Sequence, residues 1–122
     1  MEQLQERLND AIGRVMGAVA AGVVGIDGIP VAEFKKEEAE LDLSIAEAEL
    51  ASIVAEARRL ALDAKGGDFE EVFVRAKELT LVARMVNADY FVFILLGGEL
   101  QNLGLARFEL KKLSQDVNSL LS

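Results

Sequence analysis

Apolar residues in the longest periodic stretch, Glu38–Ala64, fall on two sides of one helix. At about 100° per residue, Leu43, Ala46, Leu50, Ile53, Val54, Ala57, Leu60, Ala61 and Ala64 form a broad face. Leu41, Ile45, Ala48, Ser52, Ala55 and Leu62 form a smaller, Ala-rich face roughly opposite. Glu40, Glu47 and Arg58 fill one seam, and Asp42, Glu49, Glu56 and Asp63 the other. The surface helix of a monomer needs a single apolar stripe, facing its own core. The broad face suits a sheet and the small face suits a second helix, so this helix is expected to meet a partner.

The remaining pattern is regular. Leu4, Leu8, Ala11, Ile12 and Val15 recur at three and four, which predicts an amphipathic helix over Glu2–Arg14 with Gly17 as its stop. Ala18–Val24 and Pro30–Phe34 read as a hairpin around Asp27-Gly28, a pair suited to a tight turn with φ > 0 at both central residues. Pro30 removes a ladder donor and places the second strand at an edge. Acidic residues open the long helix and Arg58, Arg59 and Lys65 close it, complementing its dipole, with Gly66-Gly67 as the stop. Three strands follow: Glu70–Ala76, Leu79–Met85 and Tyr90–Leu96. The last has no polar alternate and is expected to be central. The first is charged at its ends and reads as an open edge. A helix over Leu100–Leu121 completes the order α-β-β-α-β-β-β-α.

This order predicts an α+β fold with a five-stranded antiparallel sheet, the long helix on one face and both terminal helices on the other. One helix, ~10 Å across, is too narrow for five strands at ~4.8 Å spacing. A second copy of the same helix would finish that layer, which makes a twofold homodimer the economical solution. No repeat or linker interrupts the chain, so residues 1–122 are expected to form a single domain.

Charge and composition narrow the function. A net charge of −8 disfavours nucleic acid and anionic membrane surfaces. Cysteine and histidine are absent, which removes disulfides, thiolate or imidazole metal ligands, and Cys–His or Ser–His–Asp catalysis. Val15–Ile26 has the length of a signal-peptide core, but its flank is not basic. No segment reaches the ~18–20 apolar residues of a membrane span. These features fit a cytoplasmic protein without membrane insertion.

No catalytic, cofactor or metal residue is expected. Gly22, Gly25 and Gly28 lack phosphate-loop spacing and precede a strand. The carboxylates Glu37/Glu38, Glu47/Glu49 and Glu70/Glu71 are assigned to solvent seams or strand ends, whereas acid–base catalysis needs one buried. Arg59 is the most interesting arginine, with dipole compensation and stem packing as its plainer role.

The sequence resembles the roadblock/dynein-light-chain family, nearest its bacterial and archaeal regulators of small Ras-like GTPases. The resemblance rests on the element order and on Val24-Gly25-Ile26-Asp27-Gly28-Ile29-Pro30-Val31-Ala32, Leu79-Thr80-Leu81-Val82, Asp89-Tyr90-Phe91-Val92 and Asn102-Leu103-Gly104-Leu105-Ala106-Arg107. It implies a profilin-like sheet in the order 2-1-5-4-3. It also implies a homodimer in which third strands pair and second helices pack together. Mapped here, the dimer interface comprises Leu41, Ile45, Ala48, Ser52, Ala55, Val72, Phe73 and Val74. The paired helices would present Asp42, Glu49, Glu56, Arg59 and Asp63 to the switch regions of a small GTPase. The function so implied is a non-enzymatic GTPase regulator without a cofactor. The alternative is a dimeric scaffold subunit of a larger assembly, insensitive to nucleotide state. A small-molecule sensor ranks third, because few polar groups converge on the apolar interior, and an enzyme ranks lower still.

Overall fold

A computed structural model describes residues 2–121. Its elements are α1 (Glu2–Arg14), β1 (Ala18–Gly25), β2 (Pro30–Lys35), α2 (Leu43–Asp63), β3 (Glu71–Arg75), β4 (Leu79–Met85), β5 (Tyr90–Gly97) and α3 (Leu103–Leu121). All sheet pairings are antiparallel, in the order β2-β1-β5-β4-β3. The expected architecture and strand order are therefore present. β2 and β3 are the edges.

β5 shows why a strand without polar alternates must be central. Val92, Ile94 and Leu96 point into a core with Leu4, Leu8 and Ile12 of α1 and Ala106, Leu110, Leu113 and Val117 of α3. Phe91, Phe93 and Leu95 point the other way, into a smaller core with Leu50, Ala51 and Val54 of α2. Opposite Phe93 on β1 is Gly22. A Cβ there would stand 2.7 Å from the Phe93 ring, so the missing side chain makes room for the aromatic.

Several local boundaries differ from expectation, each because of a capping or turn interaction. α2 starts at Leu43, not Glu38: Asp42 Oδ1 accepts from Ile45 N at 3.2 Å and caps the helix. α3 starts at Leu103 because Asn102 Oδ1 accepts from Leu105 N at 3.0 Å. The β1–β2 loop is longer than the two-residue turn expected. Gly28 alone is left-handed there, while Asp27 Oδ1 accepts from Ile29 N at 3.0 Å. At the end of α2 Lys65, at φ 59°, and Gly67, at φ 86°, are both left-handed, so the expected glycine pair supplies one of the two such residues.

Candidate functional site

α2 lies against the sheet through Glu47, Leu50, Ala51 and Val54. This face is rotated from the broad face read from sequence. Ile53 and Leu60, assigned inward, are exposed, Leu60 at 68%, while Ala51 is buried. The apolar residues left outside are thus Ile45, at 62%, together with Ile53, Leu60 and Leu62. Glu49, Ser52, Ile53, Glu56, Ala57 and Leu60 line a shallow groove of about 560 Å³ along the helix. Its floor is aliphatic and its rim acidic.

Glu47 corrects the assignment of every carboxylate to solvent. The residue is 1% exposed, and neither carboxyl oxygen has a hydrogen-bond partner. The nearby carboxyl is that of Glu33 on β2, also an acceptor, so the two form a hydrogen bond only when one is protonated. Burial, then that bond and the Glu33 charge, push Glu47 from an ordinary 4.5 up to about 8. The spacing of Glu47 with Leu50, Ala51 and Val54 carried this information. The stronger hydrophobicity of Ile53 and Leu60 obscured it.

The expected interface residues divide into separate settings. Ile45, Ser52 and Ala55 are exposed on the outer side of α2. Ala48 is also exposed, but its backbone borders the β1–β2 loop: a Cβ on Gly28 would lie 3.7 Å from Ala48 Cα. Leu41 is not on the helix. It precedes the Asp42 cap and packs against the smaller core. Val72 packs against the same core, whereas Val74 and Phe73 are exposed, Phe73 at 48%. Phe73 pairs with Val82, which points into the larger core, so its ring lies on the α1/α3 side.

Of the expected GTPase-facing residues, Asp42 is occupied as the α2 cap. Glu49, Glu56, Arg59 and Asp63 are exposed, with Arg59 donating to Glu56 in a surface ion pair. Arg58 is turned to the protein, donating from Nη1 to Ala88 O at 3.2 Å and holding α2 against the β4–β5 turn.

A half-buried, doubly paired carboxylate was also missed. Glu71 of β3, 11% exposed at its side chain, accepts from Arg84 of β4 at 3.2 Å and Arg107 of α3 at 2.6 Å. Both arginines are remote in sequence, and only the fold brings them together. A further hollow of about 330 Å³, lined by Arg58, Leu62, Asp68, Phe69, Met85, Asn87 and Ala88, lies beyond the α2 end. Among the described residues no group of three or more acidic, cysteine or histidine side chains could hold a metal, and no helix is long and apolar enough to cross a membrane.

Neither a family sequence model nor a curated protein matches the chain. Solved structures do. MglC from Myxococcus xanthus is 34% identical, with 96% of this chain and 98% of that one covered at a TM-score of 0.69. The gliding protein MglB from Thermus thermophilus is 18% identical, covering 98% and 88% at 0.87. The Roadblock/LC7 domain from Streptomyces avermitilis is 18% identical, covering 96% of each chain at 0.84. The likeness to MglC runs over almost all of both chains, and the Roadblock/LC7 domain shares the fold. The chain belongs to the roadblock/LC7 family.

Proposed function

We propose that this protein is a cytoplasmic, non-enzymatic regulator of a small Ras-like GTPase, acting as a homodimer. The observation that carries the reading is the unfinished α2 layer. One helix covers that side of the sheet and leaves Ile45, Ile53, Leu60 and Leu62 outside, on the same side as Val74 of an open edge strand. Exposed apolar residues grouped this way are characteristic of an interaction surface. Membership of the roadblock family supports a role in a small-GTPase system.

In this reading β3 pairs with its copy and Ile45, Ser52 and Ala55 meet across the seam. Glu49, Glu56, Arg59 and Asp63 then border the platform that receives the GTPase. The acidic rim suits basic switch-region residues, and binding would act by shifting the switch population. Pull-down of the host's small GTPases, each loaded with GDP or with a non-hydrolysable GTP analogue, tests this. Retention in the GTP-analogue state is expected. Equal retention in both states would instead favour the scaffold reading, and no retention would refute GTPase binding.

A further inference from the structure

The hollow beyond the end of α2 is built by a reversal of the chain. Lys65 and Gly67 are left-handed, and the turn they make brings Asp68 and Phe69 into one hollow of about 330 Å³ with Arg58 and Leu62. That volume lies at the small end of ligand sites, which span ~300–1,000 Å³. Phe69 and Met85, packed against the smaller core, give it apolar walls. Leu62, 63% exposed, adds an aliphatic edge.

The polar side chains of the hollow are of two kinds. The Asn87 amide is occupied within the protein: Oδ1 accepts from Asp89 N at 2.9 Å and from Tyr90 N at 3.1 Å, and Nδ2 donates to Asn118. Arg58 and Asp68 keep free capacity. Arg58 donates from Nη1 to Ala88 O, which fixes the guanidinium and leaves its Nε–Nη2 edge without a partner among the described residues. The Asp68 carboxylate has no partner among the described residues, so it does not pair with Arg58 either. Opposite charges that line one hollow without meeting suit a ligand that carries both. The free guanidinium edge is a fork that matches a carboxylate bidentately, and the Asp68 oxygens can accept from an ammonium.

We propose that this hollow binds a free α-amino acid with an apolar side chain. Arg58 takes the carboxylate, Asp68 takes the ammonium, and Phe69, Met85 and Leu62 receive the side chain. A few placed polar groups on apolar walls are the usual make-up of a small-molecule site. The site lies at the α2 terminus, outside the apolar interior of the sheet, and it rests neither on the homodimer nor on GTPase binding.

Isothermal titration calorimetry of the full chain tests the site with three probes: leucine, isocaproate, which lacks the ammonium, and isoamylamine, which lacks the carboxylate. Leucine is expected to bind saturably, and each analogue at least about tenfold more weakly, the order expected when a charged hydrogen-bonding group is left unpaired. In Asp68→Asn the affinity for leucine should fall to that for isocaproate, which itself should not change. In Arg58→Met it should fall to that for isoamylamine, again unchanged. A variant that failed to fold would lose the weaker ligand as well, and Asp68 lies on an exposed loop where its replacement by Asn keeps the shape. Absence of saturable leucine binding at millimolar concentration overturns the proposal, as do equal affinities of the wild type for all three probes or an unchanged leucine affinity in Asp68→Asn. Leucine binding that fades as protein concentration rises, in step with association seen by sedimentation, would give the hollow to a second copy and overturn it too. None of these outcomes decides whether a GTPase binds, which the nucleotide-state pull-down reads separately.

Discussion

On one side of the sheet α1 and α3 lie together, and Leu4, Leu8, Ile12, Leu110, Leu113 and Val117 are all buried between them and the strands. On the other side α2 lies alone, buries Leu50, Ala51 and Val54, and leaves larger aliphatic residues outside. The strands are apolar toward both sides, so the difference lies in the number of helices available. A single helix cannot complete a layer over five strands. The exposed aliphatic residues of α2 are therefore read as the boundary of an incomplete layer.

Paired substitutions give the largest expected break in this comparison. Leu110→Ala and Leu50→Ala should each cost about 2–5 kcal/mol, since both side chains are fully buried. Leu60→Ala should change the stability of an isolated chain by less than ~0.5 kcal/mol. If Leu60 is covered in an assembly, its effect will appear as a concentration-dependent melting temperature. Denaturant titration at several protein concentrations reads both.

The next effect is on association. Ala55→Arg puts a charge on the small outer face of α2, where the proposed homodimer would bury it unpaired. The dimer should weaken by at least about tenfold, an order expected from such burial, without loss of helicity. A dimer unchanged in sedimentation would remove this face from the seam.

Glu47 sharpens the same comparison through pH. Its folded value, about 8, lies above its ordinary 4.5, so the folded state holds the proton more tightly. The stability this contributes is fully present below about pH 4.5 and is lost as pH rises toward 8. Glu47→Gln should flatten that decline and stabilise the fold by ~2 kcal/mol at the alkaline end. Chemical denaturation from about pH 5 to 9 checks it, and an unchanged slope would mean that Glu47 is not held protonated. The smallest effect belongs to the α2 terminus. Lys65→Gly should add ~0.5–1 kcal/mol by relieving a left-handed non-glycine residue, visible as a slightly raised melting temperature.

The fold was legible because the long-range rules act on whole elements. Tyr90–Leu96 reads as central from its composition alone, and Pro30 marks an edge. Helix starts were less legible: the acidic run before Asp42 imitates a first turn, while a single side-chain bond decides where the helix begins. The candidate site was readable as a helix with too much apolar surface, but not to the residue. A rotation of α2 exchanged Ile53 and Leu60 for Glu47 and Ala51, because hydrophobicity ranks side chains without knowing which ones the sheet can reach. The carboxylate shared by Arg84 and Arg107 leaves no local pattern at all.

That shared carboxylate bears on how a free edge can associate. Glu71 binds the edge strand to its neighbour through Arg84 and to a helix through Arg107, so β3 is held from two directions before anything adds to it. A chain pairing with this edge meets a template already in place. The ordering cost of the strand has been met during folding, and less of the association energy is consumed at the moment of encounter.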